Sequence, residues 1–457
     1  MGTITDKLNK LAETKSAIKT AIVNKGVSIS DSDTFASYAT TIASISGGGS
    51  AHKFDFTVLG YDNDACNDAN EIANYVINNK YHSVSEIEDG ILYGKELYDS
   101  NYDISNENVD KDRILFYPKL TLPYQFNYSN VLYIPNITVN WRSYNTGSDN
   151  YINYHLIKIR GINGSVSASK YSINCLSFKN CYFLKSIGNI DLKFTDPEYD
   201  GILYSTQDMF MNCVSLVEIP NIKVSTCSSL FANTVINNWN NILKNIDTSK
   251  SSYFDSMFYN SNIGKNSQIF FNTSLGKNFR EMFYNCIFME SYNFGLDLHN
   301  ANRVDGMFGN NTNLKSIDSE LNTENAVDFN SMFYFCHKLI KIASLSLKSL
   351  NTTIEYYYLT GWSELPTLRY VLLKDFGTGS GCTSANFTYL PNWGIEDETV
   401  PLSAGARQSL IDTFITYSYD RATAGYSTCT VTLSADTKAL LTEDEIAQIT
   451  AKGYTIA

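Results

Sequence analysis

The sequence predicts an α/β fold: a solenoid of repeated units with parallel strands, preceded by an N-terminal helical anchor. Three observations predict it. A Met-Phe pair recurs along the chain, an Asn follows most of these pairs at a fixed distance, and the first 45 residues show the apolar spacing of amphipathic helices. The chain has 457 residues of which 43% are hydrophobic, enough for a large core, so a long disordered chain is excluded.

The N-terminal segment, residues 1–45, carries two apolar stripes with the spacing of helices that bury one face. Their members are Ile4, Leu8, Leu11, Ile18 and Ile22, followed by Phe35, Tyr38 and Ile42. Residues 46–50, Ser-Gly-Gly-Gly-Ser, form a flexible linker. One interpretation is a helical hairpin that packs on the rest of the same chain. The linker favours the other, self-association or docking onto another protein, with a homotrimer as the preferred assembly.

Residues 51–170 are predicted to form an irregular α/β flank of the repeats. The apolar spacing of residues 68–78 favours a short helix, and residues 114–122 and 131–139 favour strands. An Ile-Pro-Asn-Ile motif at 134–137 recurs inside the repeat region. The flank is therefore interpreted either as early units of the repeat or as a separate domain.

Residues 171–390 contain a repeat whose regular period is 25 residues. The Met-Phe pairs and their one Leu-Phe variant begin at Met209, Leu230, Met257, Met282, Met307 and Met332. With each Phe as position 0, Asn recurs at +2, Cys at +3, Leu at +6 and Ile at +9. A unit of this length lies within the range of leucine-rich repeats, in which each unit contributes one short strand and a return segment. The repeat therefore predicts a leucine-rich-repeat-like solenoid.

Positions +2 and +3 carry polar or small side chains. The Asn at +2 predicts a buried turn whose amide satisfies backbone groups from unit to unit. The slot at +3 holds Cys in four units and Thr, Ser or Asn in the others, which predicts a small buried filler rather than a disulfide or metal ladder. Nine cysteines include no C-x2-C pair, and the five histidines lack metal-ligand spacing. We therefore expect no metal and no cofactor.

Residues 391–457 are predicted to close the repeat with an α/β cap. Residues 408–417 are amphipathic, residues 429–433 alternate as a strand, and residues 454–456 form a last strand. The sequence Thr-Glu-Asp-Glu at 442–445 is a capping box that begins a helix ending at a glycine. Such a cap covers apolar side chains that the last unit otherwise exposes.

Two segments resemble known protein families. The pattern Met-Phe-x-Asn-Cys-x-x-Leu-x-x-Ile at 209–219 and 332–342 resembles the BspA-like leucine-rich repeats of bacterial surface proteins and of phages of gut bacteria. The words Lys-Gly-Val at 25–27 and Thr-Phe-Ala-Ser-Tyr-Ala at 34–39 resemble the N-terminal segments of bacteriophage tail and fibre proteins. Together the two resemblances imply a virion component, made in the host cytoplasm and attached to other virion proteins through residues 1–45. They imply no catalytic residue.

Charge and motifs narrow the function classes. With 35 basic and 47 acidic residues the net charge is −12, which disfavours nucleic acid as a partner. The sequence has no 18-residue apolar run for membrane insertion, no secretory signal, and no nucleotide-binding or nucleophile motif. We expect a tail or capsid fibre or spike that is not an enzyme. A bacterial adhesin is the main alternative, and a glycan-degrading spike and an intracellular scaffold are the others.

Aromatic side chains are the candidates for binding a host-surface glycan or protein, and sugars suit them because sugar C–H faces stack on aromatic rings. The candidate residues are Trp141, Tyr144, Tyr151, Tyr154, Tyr357 and Trp362. The other interpretation of these residues is that most of them pack between repeat units.

Overall fold

The chain divides into two compact units, residues 1–103 with 110–114 and residues 104–109 with 115–457. The computed structural model describes residues 14–16, 18–20, 56–80, 87–88, 91–93, 113–116, 120–122, 131–134, 137–142, 156–167, 177–194, 202–203, 206–264, 267, 271–354, 359 and 365–457.

The first unit contains one long helix and a short hairpin. A 3-10 turn at Phe56–Leu59 precedes α1 at Asn63–Lys80, and β1 (Ile87–Glu88) pairs antiparallel with β2 (Ile91–Tyr93). The helix predicted at 68–78 is confirmed in a longer form. It begins earlier because the Asp62 carboxylate accepts the N–H of Ala65 at 2.7 Å, a side-chain cap of the first turn.

A parallel sheet follows along the chain, and its first strand crosses the boundary between the two units. Its strands are β3 (Arg113–Phe116), β4 (Leu120–Leu122), β5 (Val131–Ile134), β6 (Ile137–Arg142), β7 (Lys158–Ser167) and β8 (Ser186–Phe194). The long strand β7 pairs with β5, β6 and β8. Each predicted strand, 114–122 and 131–139, is two strands in the structure.

Three small parallel sheets follow. Their strands are β9 (Ile202–Leu203), β10 (Ile222–Val224) and β11 (Ile246–Asp247); β12 (Ser291–Tyr292), β13 (Ser316–Leu321), β14 (Lys341–Ser346) and β15 (Tyr370–Lys374); and β16 (Ser384–Asn386), β17 (Cys429–Thr432) and β18 (Tyr454–Ile456). In the second sheet Ser291 pairs with Ser316, which pairs with Lys341. These partners occupy the same position in successive units, and the predicted α/β class with parallel strands is confirmed.

The core of the repeat region is a row of stacked phenyl rings. The Phe at position 0 of every unit is fully buried, and successive ring centroids lie between 5.4 and 6.1 Å apart with interplanar angles of 2–12°. The rings belong to Phe178, Phe210, Phe231, Phe258, Phe283, Phe308 and Phe333. The Leu at +6 and the Ile at +9 are also buried where the pattern has them, so these repeat positions form one continuous apolar cluster.

The slot at +3 is more than a volume filler, which corrects the sequence interpretation. The Cys213 thiol donates to the Phe178 carbonyl at 3.0 Å. The Cys336 thiol likewise donates to the carbonyl of the Phe at position 0 of the preceding unit. In the unit where Asn311 replaces Cys, its amide donates to the Phe283 carbonyl at 2.8 Å. Thr234 donates to the carbonyl of its own Phe231, and the Ser261 hydroxyl lies 3.8 Å from the Cys286 sulfur. The small side chains of this slot thus take part in hydrogen bonds, although not all of them bond the neighbouring unit.

The repeat changes between residues 231 and 271, where the sequence pattern departs from the consensus. A short helix, α2 (Trp239–Leu243), takes up the return segment. The Trp239 ring packs edge-on against Phe231 at 5.5 Å and Phe258 at 5.4 Å, and its indole N–H donates to Asn262 at 2.9 Å. One large aromatic residue thus packs between the phenyl rings of two successive units.

The C-terminal part has the elements that the sequence predicts. Helix α3 (Ala406–Ile411) continues as a π-helical turn to residue 416, and α4 (Ala435–Lys438) and α5 (Glu443–Ala451) follow. The capping box is present, because Thr442 and Glu445 each accept the other's backbone N–H. Trp393, Phe414 and Tyr454 are fully buried and join this part to the same apolar cluster.

Candidate functional site

Two left-handed residues bound each Met-Phe turn, at positions −2 and +2, with φ between 50° and 64°. They are Asp208 and Asn212, Ser229 and Asn233, Ser256 and Asn260, Glu281 and Asn285, Gly306 and Asn310, and Ser331 and Phe335. Main-chain bonds join neighbouring turns, for example from the Phe283 N–H to the Met307 carbonyl at 2.9 Å. Because every turn has the same shape, side chains at equivalent positions form rows across the units.

The asparagines at +2 form the first row, a ladder of side-chain amides. Asn260 donates to Asn233 at 2.9 Å, Asn285 donates to Asn260 at 2.7 Å, and Asn310 donates to Asn285 at 2.7 Å. The sequence predicted a buried Asn bonded to backbone groups of the next unit, and this was wrong. The amides bond one another along a partly exposed edge. Asn occupies this position because it tolerates the left-handed backbone that the turn requires.

Aromatic side chains form a second row beside the ladder, which we name the aromatic row: Tyr259, Tyr284, Tyr334 and Phe335. The rings of Tyr259 and Tyr284 stack with centroids 5.2 Å apart and an interplanar angle of 5°. The centroids of Tyr334 and Phe335 are 4.2 Å apart, and Phe335 is 39% exposed. The three tyrosines are half-buried, so part of each side chain is open to solvent.

Two glycines interrupt the aromatic row. Gly309 occupies position +1, where the units on both sides have Tyr, and Gly306 has a φ of +61°. A Cβ at Gly309 would lie 2.7 Å from the Tyr284 ring, so the ring leans into the space over this turn and only glycine permits it. The row therefore has a gap of one unit between Tyr284 and Tyr334.

The Tyr284 hydroxyl remains protonated at neutral pH. Burial raises the pKa of Tyr284, and the nearby Tyr259, Tyr334 and Glu281 raise it further. A protonated hydroxyl both donates and accepts a hydrogen bond, so this face of the molecule offers uncharged partners of both kinds next to aromatic rings.

Five charged residues on the same turns form the charged strip: Arg280, Glu281, Arg303, Asp305 and Asp328. Arg303 donates to both carboxylate oxygens of Asp305, at 3.0 and 2.9 Å, and lies 3.6 Å from Asp328. Arg280 lies 3.3 Å from Asp305 and 3.0 Å from Glu281. Burial raises the pKa of Asp305 against the opposing effect of Arg303. The strip consists of planar groups held in fixed orientations, with more acids than bases.

The sequence-predicted site residues are only partly described. Ile18 lies in a helical stretch at 18–20, and Trp141 lies on β6. The remaining members of both sets fall outside the described residues: Ile4, Leu8, Leu11, Ile22, Phe35, Tyr38 and Ile42 in the anchor, and Tyr144, Tyr151, Tyr154, Tyr357 and Trp362 among the aromatics. Their roles stay predictions.

The aromatic row was missed at the sequence level although a signal for it exists. The residue after Met-Phe is Tyr in three of the four units that begin at Met257, Met282, Met307 and Met332. The repeat pattern directs attention to its buried positions, which recur most strictly. Because position +1 lies between a buried ring and a left-handed residue, a large side chain there points away from the core.

No group of three or more metal-ligating side chains lies together in the part of the chain that the structure describes. Within the same residues, no helix is long and apolar enough to cross a membrane. No protein-family model, no curated protein and no solved structure matches this chain.

Proposed function

We propose that this chain is a leucine-rich-repeat-like solenoid that binds a host-surface carbohydrate through the aromatic row and has no catalytic role. Parallel pairing between equivalent residues, the phenyl stack and the amide ladder support the solenoid, because each relates one unit to the next by the same step. The single observation that carries the binding function is the aromatic row, with its glycine gap beside the charged strip.

The chemistry of this face favours a sugar. Partly exposed tyrosine rings stack on sugar C–H faces, and their hydroxyls bond to sugar hydroxyls. Arg280 and Arg303 are held by carboxylates on fixed turns, so their remaining N–H groups are oriented without further loss of side-chain entropy. The Asn amides at the edge of the row add further hydrogen-bonding groups.

The charge of the face selects among sugars. The charged strip holds two arginines against three carboxylates, and the whole chain carries a net charge of −12. An anionic glycan would be repelled by the excess of carboxylates on the strip and by the net negative charge of the whole chain. A neutral oligosaccharide meets no such repulsion. We therefore propose a neutral oligosaccharide as the ligand class.

We further propose that the chain is a tail or capsid fibre or spike of a bacteriophage, anchored to other virion proteins by residues 1–45 and assembled as a trimer. The resemblance of that segment to phage fibre proteins, and of the repeat to BspA-like repeats, supports this placement. A bacterial adhesin with the same repeat is the second candidate. The binding face serves both equally, so the carbohydrate proposal does not depend on which is correct.

The experiment is a screen of the full chain on a printed array of neutral and sialylated oligosaccharides, followed by titration with the best neutral ligand. We expect Tyr284→Ala and Tyr334→Ala each to weaken binding at least tenfold, because each removes a stacking ring. Tyr417→Ala is the matched control, since Tyr417 is 42% exposed but lies outside the row. Binding only to sialylated sugars, or an equal loss in the control, would contradict the proposal.

Gly309→Ala gives an independent test of the gap. Its Cβ would lie 2.7 Å from the Tyr284 ring and displace it. We expect weaker binding with the melting temperature little changed. If Gly309→Ala leaves the affinity unchanged while Tyr284→Ala abolishes binding, the position of the Tyr284 ring over the glycines does not matter to the ligand.

A further inference from the structure

Two buried thiols face each other in the last sheet, away from the repeat cysteines. Cys382 precedes β16 and Cys429 begins β17, and their Sγ atoms lie 3.8 Å apart. Neither residue is exposed to solvent. The thiols at position +3 of the repeat lie against backbone carbonyls of the neighbouring unit, whereas each of these two has the other sulfur as its neighbour.

A buried guanidinium lies beside this pair. Arg421 is fully buried and donates to the main-chain carbonyls of Gly377 at 2.7 Å, Gly379 at 2.8 Å and Ser427 at 2.8 Å. Over the described ranges, no carboxylate forms an ion pair with it. A buried positive charge with only dipoles around it stabilises any anion that forms nearby.

The two thiols have different acidities as a result. The hydrogen bond with Cys429 and the charge of Arg421 lower the pKa of Cys382, against the effect of burial. The same hydrogen bond and burial raise the pKa of Cys429. Within the pair, Cys382 is therefore the sulfur that loses its proton more readily, and a thiolate is the form of cysteine that attacks an oxidant.

We propose that Cys382 and Cys429 form a peroxide-reactive dithiol that closes to a disulfide. The geometry carries this proposal, because two buried sulfurs 3.8 Å apart have to approach by only about 1.8 Å to reach the S–S bonding distance. Hydrogen peroxide is the oxidant that we name, since a buried pair admits only a very small one. The site is independent of carbohydrate binding and of the proposed location of the protein.

The reaction has two steps. The Cys382 thiolate attacks one peroxide oxygen, an S–O bond forms, the O–O bond breaks, and the departing hydroxide takes up the proton that Cys382 released to give water. The Cys429 sulfur then attacks the sulfenic sulfur, an S–S bond forms, the S–O bond breaks, and the second hydroxide leaves as water with the Cys429 proton. Two thiols are oxidised and one peroxide is reduced to two waters.

The test uses the full native chain. It is treated with hydrogen peroxide, quenched, denatured in iodoacetamide and digested for mass spectrometry. We expect a peptide linked through Cys382 and Cys429, the loss of two of the nine thiols, and a melting temperature raised by several degrees, because the bond closes a loop across a sequence separation of 47 residues. Cys286→Ser, which alters a repeat cysteine, is expected to give the same linked peptide.

Two variants separate the roles of the sulfurs. In Cys429→Ser the sulfenic acid has no resolving thiol, so dimedone is expected to label Cys382. In Cys382→Ser we expect no dimedone label on Cys429. Sulfinic acid on Cys382 in the native chain, a label on Cys429 in place of Cys382, or a linked peptide formed only after denaturation would overturn the proposal.

Discussion

Phe308 is the residue whose replacement should reveal most about the phenyl stack. Its ring is fully buried and its centroid lies 5.8 Å from that of Phe283, 5.7 Å from that of Phe333 and 5.0 Å from that of Tyr292. Truncating a buried Phe to Ala costs about 3–5 kcal/mol. Each ring contact adds about 0.5–1.5 kcal/mol beyond area burial. Because Phe308 has three ring partners, we expect Phe308→Ala to lower the free energy of unfolding by about 5 kcal/mol, near the upper end of that range.

The assay is equilibrium unfolding in urea, followed by circular dichroism and tyrosine fluorescence. With a slope of about 3 kcal/mol per molar urea, this loss lowers the midpoint by about 1–2 M. Phe335→Ala is the matched control, because Phe335 occupies the next turn and is 39% exposed. We expect it to cost less than about 1 kcal/mol. Similar losses in the two variants would refute the conclusion that the stack, rather than aromatic content in general, stabilises the units.

Four further results are expected. Cys213→Thr and Cys213→Val differ only in the donor to the Phe178 carbonyl, so urea unfolding should find Val less stable by about 1 kcal/mol. Burial raises the pKa of Cys286 to about 12, so iodoacetamide at pH 8 should label it only after unfolding. Ile18→Asp should release monomers with a folded repeat, and an unchanged mass by light scattering would exclude the helices as the interface. Burial opposes but does not cancel the hydrogen bonds from the Thr442 backbone and Arg407 that lower the pKa of Glu445, so their stabilisation is present at neutral pH and lost as the pH falls through the acidic range. Arg407→Ala, which removes one of these donors, should reduce that acid dependence of the melting temperature.

The buried positions of each unit were predictable from the sequence because they recur at a fixed spacing. A Phe that returns every 25 residues has to occupy the same environment each time, and the same holds for the Leu at +6 and the Ile at +9. The capping box at Thr442 was equally predictable, because its two hydrogen bonds are local in sequence. These features depend on spacing alone.

Features that depend on contacts between units were not predictable in the same way. The Asn side chains bond each other, and nothing in one unit tells whether an amide faces a backbone group or another amide. Trp239 has no counterpart in the regular units, and its contacts with Phe231 and Phe258 become evident only in the folded chain. The Cys382–Cys429 pair is separated by 47 residues, and no local spacing links the two.

The shape of the turn also affects which substitutions this protein can accept during evolution. The buried Phe at position 0 and the outward residue at +1 are neighbours in sequence, yet one belongs to the interior and the other to the surface. Replacing Tyr by Gly at +1, as the unit of Phe308 already does, alters the outer chemistry while the phenyl stack keeps its spacing of 5.7–5.8 Å. The outer surface of the repeat can therefore change by single substitutions, one codon away from an interior that must stay constant.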